Sequence, residues 1–283
     1  MRFLGDGMQQ VYELKKEATE IRLLQLTDMH LFSDPQAKLL GINTQASFQA
    51  VLDEVMAEPQ PHFDAVLATG DLIQDSQVEG YDYFAQMVQP LVSPVFWLEG
   101  NHDEQPQMHI KLAPYPYICA EKQILAGKHW QILLLNSQVS GCPSGCLSKE
   151  QLIWLEAKLA EYPERFCLIA LHHNLLPTHC AWLDQHCLQN REHFAEVLAP
   201  FKQIKAILHG HIHQTVDSSW HGIRVLATPS TCIQFKPNCD EFTLDLLAPG
   251  WRELVLKADG QIETVVKRLK TQTFLPNLEA KGY

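Results

Sequence analysis

Five short polar clusters follow five apolar runs along this chain, and no other sequence feature constrains its fold as strongly. The runs cover residues 21–27, 65–69, 95–98, 167–171 and 206–208. Each is short and bounded by turn residues, which is typical of buried β-strands. The clusters that follow them are, in chain order, Asp28 and His30; Gly70 and Asp71; Gly100, Asn101, His102 and Asp103; His172 and His173; and Gly210, His211 and His213. Because ligands of open α/β sheets bind outside the carboxyl ends of the strands, we expect the five clusters to meet in one crevice.

Helical periodicity between the apolar runs indicates an α/β fold. A helix is predicted at 44–58, where apolar side chains recur on one face, and another at 189–198. Ser148 followed by Gln151 is a capping box that opens a third helix. Further strands are predicted at 132–135, 223–227, 242–247, 254–257 and 264–268, those after Gly210 being mostly antiparallel. We therefore expect one α/β layer sandwich with a β-rich C-terminal half.

The net charge and the composition argue against two classes of binding partner. The chain has 22 Lys and Arg against 33 Asp and Glu, a formal net charge of −11. Nucleic acids and anionic membranes are held by basic surfaces, so we expect neither as a partner. The chain lacks a long apolar stretch and a signal-peptide core, which predicts a cytoplasmic protein. Its eight cysteines are then expected to stay reduced, and Cys142 with Cys146 has no second pair that would complete a zinc site.

The side-chain types in the five clusters indicate a metal site. They supply carboxylate, amide and imidazole donors but no thiolate, a set that suits Fe, Mn or Zn. Asp28 with His30, and His211 with His213, lie two residues apart, which in an extended chain directs both side chains to one side. The glycines of the clusters are expected to allow sharp turns. Each fragment alone is an ordinary turn or a packed histidine, but their joint order favours one metal-dependent site.

The ordered set Asp-x-His, Gly-Asp, Gly-Asn-His-Asp, a histidine after a strand, and Gly-His-x-His resembles the signature of the calcineurin-like metallophosphoesterase superfamily. Segments outside the signature, at 39–51, 130–141, 180–190, 228–237 and 242–251, look like the bacterial class III 3′,5′-cyclic-AMP phosphodiesterases. The resemblance implies an N-terminal extension at 1–20 and a metallophosphoesterase domain at 21–283. It also implies a four-layer α/β/β/α sandwich with mixed sheets.

The resemblance further implies two divalent metal ions, Fe and/or Mn. Carried over by position, the ligands of one metal are Asp28, His30 and His213, those of the other are Asn101, His172 and His211, and Asp71 bridges the two. His102 is expected to face the substrate phosphate as a proton donor, and Asp103 to orient or charge it. The residues implied to contact substrate are His30, Asp71, Asn101, His102, His172 and His213.

The roles of three residues each have two interpretations. His172 is favoured over His173 as the ligand because it comes directly after the apolar run. Trp182 either stacks on a purine or anchors its own loop to the core. His209, beside the Gly-His-x-His motif, is expected to be a packed residue or a support for a ligand rather than a ligand.

The resemblance implies an enzyme that hydrolyses 3′,5′-cyclic AMP to 5′-AMP and so lowers cyclic-AMP signalling. The same dinuclear centre serves other phosphoesters, so a phosphomonoesterase, a nucleotide pyrophosphatase or a 2′,3′-cyclic nucleotide phosphodiesterase is the alternative. A third hypothesis is a non-catalytic nucleotide-binding or scaffold protein. The complete ligand set and His102 argue against it, and the oligomeric state is left open.

Overall fold

The computed structural model describes residues 10–15, 19–59, 62–280 and 282 of the chain. Its α-helices are α1 Thr44–Met56, α2 Glu79–Val88, α3 Gln107–Leu112, α4 Lys149–Glu161 and α5 Arg191–Leu198. Its strands are β1 Val11–Leu14, β2 Glu20–Leu26, β3 Lys38–Leu39, β4 Ile42–Asn43, β5 Ala65–Thr69, β6 Val95–Leu98, β7 Ile118–Cys119, β8 Gln123–Ala126, β9 Trp130–Leu134, β10 Phe166–Ala170, β11 Ile204–His209, β12 Val216–Trp220, β13 Ile223–Ala227, β14 Gln234–Phe235, β15 Leu244–Asp245, β16 Gly250–Lys257 and β17 Ile262–Arg268.

Two mixed sheets form the framework. One has seven strands in the order β1-β8-β9-β10-β11-β13-β12, and the other has six in the order β17-β16-β2-β5-β6-β7. Strands β2, β5, β6 and β7 run parallel to one another, as do β9, β10, β11 and β13. The hairpin β16–β17 and the strand β12 are antiparallel to their neighbours, as expected for this part of the chain. Strand β13 departs from the predicted antiparallel arrangement, because it pairs in parallel with β11.

Three apolar layers hold the sheets and helices together. Side chains such as Leu23 and Ile132 fill the space between the two sheets and are fully buried. Phe48 of α1 packs with the outer face of the six-stranded sheet. Leu155 of α4 and Phe194 of α5 pack with the outer face of the other sheet. Burial of each such side chain stabilises the fold by about 1.5–3 kcal/mol. The order α/β/β/α confirms the predicted four-layer sandwich.

Local sequence signals set several element boundaries. The side chain of Asn43 caps α1 by accepting from the Ala46 amide at 2.7 Å. The Ser148 hydroxyl caps α4 by accepting from the Gln151 amide at 3.1 Å, as predicted. The predicted strand at 242–247 is largely wrong, since only β15 forms there. The next two residues, Leu246 and Leu247, are about half exposed and so do not continue a buried strand.

The predicted N-terminal extension, 1–20, contributes one strand to the domain. Strand β1 pairs in parallel with β8, and Tyr12 contacts Phe96 edge-on with ring centroids 4.9 Å apart. Residues 1–9 and 16–18 of this extension lie outside the described residues. Within the part of the chain that the structure describes, none of the helices has the length and apolar character needed to cross a bilayer.

Candidate metal centre

The carboxyl ends of five parallel strands, three from one sheet and two from the other, meet at one edge of the sandwich. Strands β2, β5 and β6 lead into the first three polar clusters, and β10 and β11 lead into the last two. Backbone hydrogen bonds connect neighbouring loops: Asp28 N donates to Gly70 O at 3.0 Å, and Gly210 N donates to His172 O at 3.2 Å. The structure therefore brings together the five clusters that the sequence places far apart.

Five of the predicted ligands have a left-handed backbone. The φ angles are 54° for Asp28, 50° for His30, 52° for Asp71, 68° for His211 and 50° for His213. Non-glycine residues rarely adopt this conformation, which costs on the order of 1–3 kcal/mol each and is concentrated at functional sites. The prediction that an extended backbone directs Asp28 with His30, and His211 with His213, toward the site is therefore wrong. Each side chain reaches the site because the backbone turns at the residue itself.

The three glycines of the clusters serve two different purposes. Gly70 has φ +93°, the sharp turn that was predicted. All three glycines are needed for space as well, since a Cβ at Gly70 would lie too close to the Nδ1 atom of His172. A Cβ at Gly100 would collide with the carboxylate of Asp71, and one at Gly210 would lie 2.7 Å from the Oδ2 atom of Asp28. The absent side chains let three loops approach each other closely enough for their ligands to share one site.

The first group of ligand atoms belongs to Asp28, His30 and His213, and these atoms all lie within 4.8 Å of one another. The His213 Nε2 atom is 3.2 Å from Asp28 Oδ1 and 3.1 Å from His30 Nε2. The Nδ1 atom of His213 donates to the Ile233 carbonyl at 3.0 Å, which turns its Nε2 atom toward the group. With metal–ligand bonds of roughly 2.0–2.2 Å, neighbouring donors around one cation have about this spacing.

The second group consists of Asp71, His172 and His211, again within 4.8 Å of one another. The His172 Nδ1 atom donates to Thr69 O at 2.8 Å, and its Nε2 atom lies 3.2 Å from Asp71 Oδ2. His173 belongs to none of the candidate ligand groups of the described residues, and its Nδ1 atom is hydrogen-bonded to the Ser137 hydroxyl at 2.8 Å. Membership in the ligand group favours His172 over His173 as the ligand.

Asp71 occupies the centre of the constellation. It belongs to the second group and also to a third, with His30 and His102. Its Oδ2 atom is 3.8 Å from His30 Nε2, so its carboxylate faces ligands of both groups. The Asp71 Oδ1 atom also accepts from the His102 amide at 2.9 Å. This position suits a carboxylate shared between two cations.

The loop after β6 carries the remaining predicted site residues. The Oδ1 atom of Asn101 is buried and has no hydrogen-bond partner among the described residues. The ring of His102 contacts that of His30 edge-on, with centroids 5.0 Å apart. His102 therefore faces the ligand cluster, and its ring reaches both Asp71 and His30.

Asp103 is buried and fixes the backbone of this loop. Its Oδ2 atom accepts from Gly100 N at 2.9 Å, and its Oδ1 atom accepts from Leu72 N at 3.1 Å and from the Tyr81 hydroxyl at 3.2 Å. These bonds tie the loop after β6 to the loop after β5. The contacts place Asp103 as a support of the loop that carries His102, and its predicted effect on that imidazole stays a proposal.

Sequence reasoning missed Gln138. Its Nε2 atom donates to the carbonyl of Gly100 at 2.8 Å and also to that of Asp103. The two carbonyls flank Asn101 and His102, so the side-chain amide of Gln138 holds both ends of the segment 100–103. No local pattern marks Gln138, because its partners lie 35 and 38 residues away in the chain.

The buried carboxylates of Asp71 and Asp28 make the cluster favourable for positive charge. Burial favours neutral His172, but the negative charges of Asp71 and Asp28 outweigh it and raise the pKa of His172 to about 9. Burial also disfavours the charged form of Asp71, yet His172 holds the pKa of this carboxyl well below its usual range. Burial lowers the pKa of His30 to about 3, which keeps its imidazole neutral and able to bind a metal.

The donor set fits divalent cations. The Nε2 atom of His211, like Oδ1 of Asn101, is buried with no hydrogen-bond partner in the described part of the chain. Buried polar atoms without a partner cost about 1–3 kcal/mol each, which a cation offsets by coordinating them. The first and second groups lie side by side, with Asp71 of the second group 3.8 Å from His30 of the first, and this arrangement fits a dinuclear centre.

A cavity of about 470 Å³ opens beside the cluster. Its lining includes the polar residues Asn101, His102 and His211 and the aromatic residues Trp182 and Phe242. The Trp182 ring packs edge-on against Phe242 with centroids 5.0 Å apart. Trp182 therefore both contacts its own aromatic surroundings and borders the cavity. Pockets of roughly 300–1,000 Å³ hold small-molecule ligands.

His209 and the cysteines lie outside the ligand groups. The Nδ1 atom of His209 donates to Gly210 O at 2.9 Å, and burial lowers its pKa to about 4. None of the three potential metal-binding groups found among the described residues contains a cysteine.

Comparisons with known proteins agree with this geometry. Residues 21–215 match the sequence model of a family described as calcineurin-like phosphoesterase. The chain is 54% identical over 276 residues to the 3′,5′-cyclic adenosine monophosphate phosphodiesterase CpdA of Haemophilus influenzae, covering 98% of this chain and 100% of that one. It is 51% identical over 264 residues to the protein of the same name from Escherichia coli K12, covering 93% of this chain and 95% of that one. A dimetal phosphatase from Danio rerio shares the fold with a TM-score of 0.61 at 16% identity, over 88% of this chain and 99% of that one.

Proposed function

The chain belongs to the calcineurin-like phosphoesterase family, and from that premise we propose that it hydrolyses 3′,5′-cyclic AMP to 5′-AMP. The observation that carries the proposal is a two-cation donor set beside a cavity of nucleotide size. Relatives named as cyclic-AMP phosphodiesterases align over 98% and 93% of the chain. That full-length likeness favours a cyclic nucleotide over the other phosphoesters that such centres hydrolyse.

We assign the ligands as two sets joined by Asp71. Asp28, His30 and His213 hold one cation, and Asn101, His172 and His211 hold the other. The donors are carboxylate, amide and imidazole groups, which suit Fe or Mn, and we propose one or both of these as the resident metals. When bound, the two cations neutralise charge on the phosphate and lower the pKa of water.

The residues of the site then position the cyclic phosphate and supply a proton. Hydrolysis adds water to phosphorus and breaks the P–O3′ bond, so the departing oxygen needs a proton. His102 borders the cavity and is held beside Asp71 by its backbone amide, and its imidazole donates that proton. Asp103 and Gln138 keep the segment that carries His102 in place. A singly charged phosphodiester reaches this positive centre although the chain as a whole carries a net charge of −11.

The aromatic side of the cavity holds the adenine. Trp182 and Phe242 line the same cavity as Asn101 and His102, so we place the base of a nucleotide bound by its phosphate against these aromatic rings. An aromatic face attracts any purine and does not by itself select adenine over guanine.

Replacing Trp182 with alanine is expected to raise KM for cyclic AMP much more than it lowers kcat. Stacking of a base on an aromatic side chain contributes about 1–3 kcal/mol, which corresponds to roughly 5- to 150-fold in KM. Steady-state kinetics of Trp182→Ala and Trp182→Phe on cyclic AMP and on its abasic analogue, 1-deoxyribose 3′,5′-cyclic phosphate, test this. The second substrate has no base, so its kcat/KM should change little, and Trp182→Phe should keep most of the affinity for cyclic AMP. Equal losses on both substrates would show that Trp182 only anchors its loop.

The proposed activity is tested by a substrate panel. Protein loaded with Mn²⁺ or Fe²⁺ is assayed with cyclic AMP, cyclic GMP, 2′,3′-cyclic AMP, ADP-ribose and p-nitrophenyl phosphate. We expect the highest kcat/KM for cyclic AMP, with 5′-AMP as the product. A higher kcat/KM for a monoester, the pyrophosphate or the 2′,3′-cyclic nucleotide would replace the substrate in this proposal. Absence of hydrolysis on every substrate would favour a non-catalytic protein.

A further inference from the structure

A buried arginine lies in the β-sandwich without an ion-pair partner among the described residues. Arg252 of β16 is 2% exposed. Its Nε atom donates to Thr228 Oγ1 at 3.0 Å, its Nη1 atom donates to Thr264 Oγ1 at 3.0 Å, and its Nη2 atom donates to Ala227 O at 2.7 Å. Burying a charge is expensive unless every polar group is satisfied, so these neutral acceptors are what keep the guanidinium in place.

The Thr228 hydroxyl connects Arg252 to Gln25 through a second hydrogen bond. The Arg252 Nε–H group only donates, so Thr228 Oγ1 accepts from it and directs its own hydrogen to Gln25 Oε1, 2.6 Å away. Thr228 and Gln25 are both fully buried. The orientation of the arginine thus sets the direction of the whole chain of hydrogen bonds.

Gln25 connects the two sheets just behind the metal cluster. Its Nε2 atom donates to Thr69 Oγ1 at 3.0 Å and to His209 O at 3.2 Å. The His209 carbonyl only accepts, which fixes the orientation of the Gln25 amide. Thr69 is the last residue of β5 in the six-stranded sheet, and His209 is the last residue of β11 in the seven-stranded sheet. One side-chain amide therefore holds these two strand ends at a fixed separation.

Both strand ends carry or support a ligand of the same group. The Thr69 carbonyl accepts from His172 Nδ1 at 2.8 Å and so orients that imidazole. His209 is followed by Gly210 and then by His211. A shift of β5 relative to β11 would change the distance between the His172 and His211 ligand atoms, which now lie within 4.8 Å of each other and of Asp71.

We propose that Gln25, Thr228 and Arg252 are positioning residues that set the spacing of His172 and His211 and thereby the affinity of the site for its second cation. The inference rests on the proposed metal assignment but not on the identity of the substrate. None of the three residues belongs to the ligand groups, and each acts through the hydrogen bonds described above. Residues that support metal ligands in this way typically change metal affinity by roughly 10- to 100-fold when they are replaced.

The test is Mn²⁺ binding to the metal-free full-length protein, measured by titration calorimetry beside the thermal midpoint of the same sample. Gln25→Leu is compared with Gln131→Leu, a matched control. Gln131 of β9 is also fully buried, but its side-chain amide has no hydrogen-bond partner among the described residues. We expect Gln25→Leu to weaken the second Mn²⁺ by roughly 10-fold or more. Gln131→Leu should bind both ions as the natural protein does.

Thr228→Val tests the contribution of Arg252 without replacing the buried arginine itself. It removes only the hydroxyl that connects Arg252 to Gln25 and should weaken the same Mn²⁺. If the residues act as one chain, the double variant Gln25→Leu with Thr228→Val should lose little more affinity than the worse single variant. Additive losses of Mn²⁺ affinity in the double variant would overturn the inference. Equal Mn²⁺ affinity in Gln25→Leu and Gln131→Leu would also overturn it, even if the two variants differed in thermal midpoint. Failure of the cyclic-AMP assay would leave these binding results intact.

Discussion

Replacing Asp71 with asparagine is expected to remove bound metal and activity together. Asparagine has nearly the same shape but lacks the negative charge that faces ligands of both groups, including His30 and His172. A carboxylate between two cations is required by both, so its loss affects both sites. Because metal ions contribute several kcal/mol to catalysis, kcat/KM for cyclic AMP should fall by at least about 10³-fold. Elemental analysis of the purified variant, beside kinetics, measures the two effects.

The matched control for this change is Asp64→Asn. Asp64 is also buried, but it precedes β5 at the end opposite Asp71, where it accepts from Arg22 N at 2.7 Å. The control should keep two metal ions per chain, whatever it loses in stability. Two ions per chain in Asp71→Asn would exclude the bridging assignment.

Replacing His102 with alanine is expected to lower kcat by about 10²- to 10⁴-fold, the usual contribution of a general acid. Metal content should stay at two ions per chain, because the ligand groups assigned to the cations do not need this imidazole. The loss should be smaller for a substrate with a good leaving group, such as bis(p-nitrophenyl) phosphate. Its leaving oxygen needs no proton, so comparing the two substrates isolates proton donation from other effects.

His102 also lies within reach of Asp71 and His30, which gives this variant a second possible result. If metal content fell together with kcat, His102 would be a ligand and the proton donor would have to be sought elsewhere. His109→Ala is the control for loss of an imidazole. His109 lies in α3 and contacts Trp97 at a ring-centroid distance of 6.2 Å, away from the ligand groups.

The sequence predicted much of the fold because its signals are local. The runs at 65–69, 95–98 and 223–227 coincide with β5, β6 and β13, since a short apolar run between turn residues has few other buried conformations. The strand predicted at 242–247 was overestimated, because only Leu244–Asp245 pairs with another strand there. Sequence reasoning also missed α2, although Tyr81, Phe84, Ala85 and Val88 recur at helical spacing and are buried there.

For the site, the sequence indicated which residues come together but not how they are presented. The ligand types and their order after the strands were sufficient to predict one crevice. The left-handed backbone at Asp28 and Asp71 and the different hydrogen-bond partners of His172 and His173 were not predictable. They follow from contacts between loops that are far apart in the chain. The clamp formed by Gln138 was missed for the same reason.

By itself, the sequence determined the chemistry of this protein: which donors are present, that no thiolate is among them, and that each follows a buried strand. Only the tertiary structure decided which nitrogen of each imidazole faces the cluster and which polar side chains hold the strand ends in place. Residue identity fixes what an atom can bind. Its position within a few tenths of an ångström depends on hydrogen bonds across sheets, such as that of Gln25 to Thr69 and His209. Those bonds exist only once both sheets have packed.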